Sequence, residues 1–150
     1  MSDNTIPGED GTFVVTGFGV VHPWLCDAMG HLTTRHYLAF FDDATWHMLA
    51  ELGYQAAAAR AEEWGWADVR NEIDYTAEVA PGTLIRVLSR VSSLGRTSVT
   101  LASVMQDRET GAIAARMTAK LVCFDLAMRR AKPLPEGLRA NAIARFGLTA

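Results

Sequence analysis

Most of the side chains able to move protons or hold charge fall between His22 and His47. Asp27, Gly30 and His31 sit together in the run Cys26-Asp27-Ala28-Met29-Gly30-His31-Leu32, just ahead of a segment with helical spacing. A carboxylate placed there feels the positive end of a helix and its orphan backbone N–H groups. The same N–H groups can stabilise a developing oxyanion. An Asp, a Gly that frees the backbone and a helix start therefore make a candidate acyl-transfer site. The ordinary alternative is that Asp27 only caps a loop. A second constellation, His36, Asp43 and His47, shares one helical face, with His31 and Asp42 nearby. No His-Glu-x-x-His or Cys-x-x-Cys spacing accompanies it, so a polar face is expected there and no metal. Cys26 lies beside Asp27 and near His31, the residue types of a thiol nucleophile. Neighbours on an extended segment point apart, which argues against that use. No Gly-x-Ser-x-Gly elbow, phosphate loop or dinucleotide fingerprint occurs. Trp24, Trp46, Trp64 and Trp66 suit a core or an interface, and Trp64 and Trp66 could also line an acyl pocket. Arg90, Arg96 and Thr97 flank a hairpin turn, where an arginine either meets a phosphate or stays solvated.

The elements that must hold these residues are legible as changes of period. Phe13 to Val21 is β-branched and aromatic with internal glycines, which predicts a strand with a bend or bulge. Pro23 and Gly30 punctuate the loop that follows. From Thr33 or Thr34 to Leu52, Tyr37, Phe41, Ala44, Met48 and Leu52 recur at three- and four-residue steps. That predicts one amphipathic helix of about 28 Å at roughly 1.5 Å per residue, capped by a threonine and ended by Gly53. Gln55 to Glu63 predicts a short alanine-rich helix. Strands are then expected at 67–79, 83–91, 97–105 and 112–124, separated by Pro81-Gly82, Gly95 and Glu109-Thr110-Gly111. Val69, Ile73 and Tyr75 are expected to alternate on one face of the first of these. Short turns join antiparallel neighbours, and a half-apolar sheet needs a cover. The expected class is α+β: a curved antiparallel sheet of about five strands wrapped on one long helix.

Composition limits the rest. The chain has 150 residues, 49% of them hydrophobic and 21% charged, so a folded single domain is expected. A net charge of −3 leaves no basic surplus for a nucleic-acid backbone or an anionic membrane surface. The N-terminus is acidic and has no secretory pattern, and no apolar run nears the roughly 20 residues of a membrane span. Cys26 and Cys123 are too few for a disulfide scaffold, so buried free thiols and a cytoplasmic location are expected. The reading divides the chain into a flexible N-terminus (1–12), one domain (13–139) and a C-terminal tail (140–150).

The run Cys26-Asp27-Ala28-Met29-Gly30-His31-Leu32-Thr33-Thr34-Arg35-His36-Tyr37-Leu38 resembles the Asp-x-x-Gly-His-x-Asn-Asn-x-x-Tyr motif of hot-dog-fold acyl-CoA thioesterases of the 4-hydroxybenzoyl-CoA thioesterase-like group. Glu72-Ile73-Asp74-Tyr75 with Ala80-Pro81-Gly82-Thr83, then Gly95-Arg96-Thr97-Ser98, then Leu121-Val122-Cys123-Phe124-Asp125 are similar to that group's second strand and turn, hairpin and last strand, and Pro133 to Leu138 to its tail. The similarity covers roughly Val14 to Arg139. It implies a hot-dog fold and a homodimer, with tetramers as a further state, in which two sheets join edge to edge and each active site lies between subunits. It implies hydrolysis of an acyl-CoA with no cofactor beyond the coenzyme A of the substrate. Asp27 takes the role of general base or nucleophile, and backbone N–H groups at Gly30 and His31 polarise the thioester carbonyl. His31 and Thr34 shape the site. Arg96, with Arg90, Thr97 and Trp24, is expected to hold the substrate. Thr33-Thr34 departs from the common Asn-Asn. The rival readings are a hot-dog hydratase or dehydratase and a non-catalytic acyl-CoA-binding domain.

Overall fold

The computed structural model describes residues 5–149, so residues 1–4 of the expected flexible N-terminus lie outside it. The chain runs β1 (Val14–Val20), a single 3₁₀ turn at Pro23–Leu25, α1 (Thr34–Glu51), α2 (Ala56–Ala61), β2 (Trp64–Tyr75), β3 (Leu84–Leu94), β4 (Ser98–Asp107), β5 (Ile113–Asp125), β6 (Arg130–Ala131) and α3 (Glu136–Phe146). All strand pairs are antiparallel, in the order β1-β3-β4-β5-β2, with the two-residue β6 added beside β5. The sheet wraps α1, which is the hot-dog arrangement.

The helix forms where the periodicity places it. Tyr37, Phe41, Ala44, Thr45, Met48 and Leu49 are its buried residues. They pack on Ile85, Val87 and Val91 of β3, Val99, Leu101 and Met105 of β4, and Ala115, Met117, Ala119 and Leu121 of β5. Thr33 is the N-cap, and Gly53 follows the last turn at φ +108°, a conformation that favours glycine. The glycines of β1 set how closely α1 approaches: the Phe40 ring lies where a side chain at residue 19 would project. The bend expected in β1 is a bulge at Thr16. The Thr16 hydroxyl lies 2.8 Å from that of Ser89, which lies 2.7 Å from that of Ser103, so three hydroxyls buried under α1 satisfy one another.

Four expectations differ from what the described residues show. Val69 does not share a face with Ile73 and Tyr75. A bulge between Asp68 and Arg70 shifts the alternation by one residue, so the face that carries Trp64 and Trp66 carries Asn71, Ile73 and Tyr75, while Val69 is 55% exposed. The division at residue 139 falls inside α3, whose Leu138, Ala142 and Phe146 complete the main core. Part of the N-terminal segment is packed: Ile6 and Phe13 are buried on the outer face of the sheet against Leu88 and Val104, and Glu9 pairs with Arg116 at 2.6 Å. Of the two thiols, Cys123 is buried but Cys26 is only half-buried, and both are free. No helix among the described residues is long and apolar enough to cross a membrane.

The two sheet edges differ. β1 ends one side with seven residues, and β2 ends the other with twelve. From Asp68 to Tyr75 every residue of β2 except Ile73 is exposed. A long open edge of this kind is a template for strand pairing.

Candidate functional site

Residues 26–32 form a tight closed loop. Cys26 and Leu32 make an antiparallel bridge, the Asp27 N–H donates to the His31 carbonyl at 2.8 Å, and Gly30 turns the chain at φ +77°. Asp27 holds the loop a second time through its side chain. Its Oδ1 accepts from the backbone N–H of Met29 at 2.9 Å and of His31 at 3.2 Å. Among the described residues nothing donates to its Oδ2. The loop precedes α1 directly, because the Thr33 N–H donates back to the Leu25 carbonyl and His36 begins the helical turn on Thr33.

A cavity of about 310 Å³ opens beside this loop, lined by Asp27, Met29, His31, Leu32, Thr34, Tyr37 and the stretch Tyr75–Glu78. The structure thus brings Asp27, His31 and Thr34 together as the sequence suggested. His31 Nε2 lies 3.2 Å from Glu78 Oε2, on the rim. Tyr37 donates to the Ala77 carbonyl at 3.2 Å and meets the Tyr75 ring edge-on at 5.0 Å. The sequence reading missed Tyr75 and Glu78 as neighbours of Asp27. Their link is the tertiary contact of Tyr37 on α1 with the end of β2, which no local pattern announces.

Both N–H groups expected as oxyanion donors have acceptors in this structure. The Gly30 N–H donates to the Asp27 carbonyl at 3.0 Å and the His31 N–H to the Asp27 carboxylate, so the closed loop consumes both. The N–H groups of Thr34 and Arg35, in the first turn of α1, take no acceptor among the described residues, and the Thr33 side chain makes no cap. The positive helix end is therefore open one turn further along the chain than expected.

The substrate-binding candidates lie apart from Asp27 within one chain. Arg96 and Thr97 form the β3–β4 turn, tied to the C-terminal segment: the Arg96 carbonyl accepts from Leu134 at 3.0 Å and the Thr97 carbonyl from Cys123 at 2.7 Å. Ser98 pairs with Val122 of β5, whereas Tyr75 pairs with Ala115. Those two β5 residues are seven steps, or about 23 Å, apart. Arg90 does not reach the turn. It lies on the outer face of the sheet, donates to the Asp10 carbonyl and covers the Phe13 ring at 5.9 Å. Trp24 is 73% exposed and stacks on His22 with ring centres 4.3 Å apart, outside the Asp27 cavity.

Burial first, then the charges of Tyr75, Glu78 and Asp27, hold the Tyr37 hydroxyl above its ordinary value of 10.0. A phenol whose pKa is raised by folding favours the fold while neutral. That contribution is complete below the ordinary value and is lost as pH rises through the folded one. Tyr37→Phe gives up a hydrogen bond worth about 1 kcal/mol at neutral pH but has no phenol to ionise. The stability gap between wild type and variant is therefore expected to narrow above about pH 10. Urea denaturation near pH 8 and above pH 10 measures it.

The chain matches the sequence model of the Thioesterase-like superfamily over residues 21–142. No curated protein sequence matches it. Among solved structures it is similar to the hypothetical protein SAV2348 from Staphylococcus aureus, solved in complex with CoA, with a TM-score of 0.83 and 15% identity over 96% of this chain and 87% of that one. It is similar to Slr0204, a 1,4-dihydroxy-2-naphthoyl-CoA thioesterase from Synechocystis, with a TM-score of 0.76 and 18% identity over 85% and 94% of the two chains. It is similar to YbaW, a probable thioesterase from Escherichia coli, with a TM-score of 0.73 and 22% identity over 85% and 96%. With the family match spanning most of its length and the curled sheet wrapped on α1, the chain belongs to the Thioesterase-like superfamily.

Proposed function

We propose that the protein hydrolyses acyl-CoA thioesters and that Asp27 carries the chemistry. The observation that supports this most is the Asp27 carboxylate itself. One oxygen is fixed by two backbone N–H groups, the other has no donor among the described residues, and the residue lines a cavity beside the start of α1. A free Asp is ionised at neutral pH in general, as a base or nucleophile must be. As a base, Asp27 takes a proton from water while the water oxygen bonds to the thioester carbonyl carbon. The C–S bond then breaks, and the proton passes to the sulfur to give free acid and CoA thiol. As a nucleophile, its oxygen forms a mixed anhydride with the acyl group and expels CoA thiolate, and water then cleaves the anhydride. Either route needs an oxyanion site, and the N–H groups of Thr34 and Arg35 serve in that role, with the Thr34 hydroxyl beside them. His31, paired with Glu78, shapes the rim. Carboxylate, water and a good leaving group suffice, so we assign no cofactor.

The working unit in this reading is a dimer. Two β2 edges paired antiparallel about the strand midpoint bring the Trp64 end of one chain to the Tyr75 end of the other. The Arg96 turn of each chain then approaches the partner's Asp27, which answers the separation within one chain. Arg96 and Thr97 hold the nucleotide phosphates across the seam, while Arg90, engaged on the outer face, has no part in it. A solved relative that carries CoA and others named as thioesterases support the substrate class. Free thiols at Cys26 and Cys123 suit the cytoplasm, where we place the protein.

Release of free thiol from a panel of aliphatic, aryl and branched acyl-CoAs tests the activity. Turnover of at least one member is the expected result, and no turnover across the panel overturns it. Loss of enoyl-CoA conjugation without thiol release would make the protein a hydratase instead, and tight binding with neither signal would make it a carrier or sensor.

A further inference from the structure

The outer face of the sheet is not bare. Residues 5–13 cross it as a strap before the chain enters β1. Ile6 and Phe13 are its apolar anchors, 2% and 1% exposed, and they rest on Leu88 of β3 and Val104 of β4, with Val15 and Ile113 at the margin. Two arginines fasten it. Arg116 of β5 donates to Glu9 Oε1 at 2.6 Å, and Arg90 of β3 donates to the Asp10 carbonyl and covers the Phe13 ring. The strap thus touches the three central strands of the sheet.

Its backbone is shaped for the fit. The Glu9 N–H donates to the Ile6 carbonyl at 3.0 Å, which closes a turn over Pro7 and Gly8, with Gly8 at φ +83°. Gly11 stands at φ +88°, and the Arg90 guanidinium fills the space where a Cβ at that position would project. A side chain at residue 11 is excluded twice, by conformation and by the arginine. Closure carries a cost that opening removes: the Arg90 Nε is buried with no acceptor among the described residues.

What the strap covers decides its role. Val20 pairs with Leu84, Phe18 with Arg86 and Leu88 with Val104, so alternation puts Phe18, Val20 and Leu84 on the same face as the covered Leu88 and Val104. Phe18 is 68% exposed and Leu84 46%, outside the strap's cover. With the strap lifted, the two patches join into one apolar surface of the kind that marks an interaction site. The face has the size for one. Five strands about 4.8 Å apart, at about 3.3 Å per residue, give roughly 800 Å² for ten-residue strands, close to one partner's share of a standard interface. A second copy presents the same face, so a two-fold contact satisfies both at once. This face is separate from the β2 edge, so a dimer joined at β2 keeps it available.

We propose that residues 5–13 take the place of a second copy on the outer face of the sheet and so hold the assembly at the edge-paired dimer. With the strap open, two dimers join through that face. The starting state rests on the dimer reading above, and nothing rests on the hydrolase reading.

The test opens the strap in the full chain. Ile6→Asp with Glu9→Arg puts a charge on an apolar anchor and turns the pair with Arg116 into a repulsion. Glu9→Arg also adds a trypsin site, so rapid cleavage after residue 9 reports opening. Sedimentation velocity at micromolar concentration, with thermal melts, reads the outcome. The expected result is a folded species of twice the wild-type mass. It is expected to return to wild-type mass when Ala102→Lys sets a cation beside Arg90 on the bared face. Gly11→Val opens the strap by a different route and is expected to double the mass as well, so the comparison stands even if the double variant does not fold. An opened, folded variant at wild-type mass overturns the proposal and leaves the strap as a cover for the sheet alone. A wild type that already has the mass of the opened form overturns it too, as does aggregation with no discrete doubled species. Mass is counted from the wild type. A monomeric wild type therefore overturns the edge-paired dimer, and doubling from that mass still supports the strap.

Discussion

Asp27→Asn is expected to lower kcat/KM toward the best acyl-CoA of the panel by at least about 10²-fold, the low end for a lost acid–base group. The substitution isolates the chemistry. The side-chain carbonyl of Asn can keep the bonds that Oδ1 accepts from Met29 and His31, so the closed loop and the start of α1 should stay in place. What changes is Oδ2, the oxygen without a donor among the described residues, which becomes an amide nitrogen that can neither accept a proton nor attack a carbonyl. Asp27→Ala removes the loop bonds as well, at about 0.5–1.5 kcal/mol each, and mixes a structural loss with the chemical one. Steady-state thiol release for both variants, with thermal melts, gives the comparison. An Asn variant within about threefold of wild type removes Asp27 from the mechanism. A loss confined to KM makes it a positioning residue that fixes the loop against substrate.

The loop and helix were readable because their signals are local. Asp27, Gly30 and the threonines before α1 act within a few residues of each other, and the apolar period of Tyr37, Phe41, Ala44 and Met48 repeats on a single face. The strands of the hairpins β3–β4–β5 were readable for the same reason, since Gly95 and Thr110-Gly111 mark turns between alternating runs. The bulge in β2 was not. One extra residue at Val69 leaves composition unchanged but reverses the face of what precedes it, moving Trp64 and Trp66 in register with Ile73 and Tyr75. Nor was the engagement of the Gly30 and His31 N–H groups. Both carry the motif, but the closed loop takes them, Gly30 donating to the Asp27 carbonyl and His31 to the Asp27 carboxylate. Arg90 shows the same limit at longer range. Its sequence neighbours place it near a turn, yet strand alternation sends it to the outer face, where Asp10 and Phe13 from the far end of the chain meet it. Tyr75 and Glu78 reach Asp27 only because α1 crosses the end of β2, a contact between residues about 40 positions apart in sequence.

Val69→Pro is expected to convert a dimer into monomers at micromolar concentration and to lower kcat/KM by at least about 10²-fold, with the fold intact. The argument starts from the register. Val69 is the bulged residue between Asp68 and Arg70, so it has no partner on β5, and its side chain is 55% exposed. Proline is tolerated in sheets at edge strands and bulges because no ladder donor is lost there. Within one chain the substitution therefore spares the β2–β5 pairing and the core. Across the open edge it acts differently. Val69 and Arg70 are the midpoint of the twelve-residue strand, where two antiparallel copies must pair for the Trp64 end of one to meet the Tyr75 end of the other. A pyrrolidine ring at that point obstructs the approaching backbone. Monomers separate Arg96 from Asp27 by the length of the sheet, so activity falls with assembly and not with stability. Sedimentation velocity, circular dichroism and thiol release on the same preparation decide the matter. A variant that stays dimeric and active shows that β2 is not the seam. A folded monomer with wild-type turnover shows that one chain holds a complete site, and with it the reason to place the Arg96 turn across from the partner's Asp27 disappears.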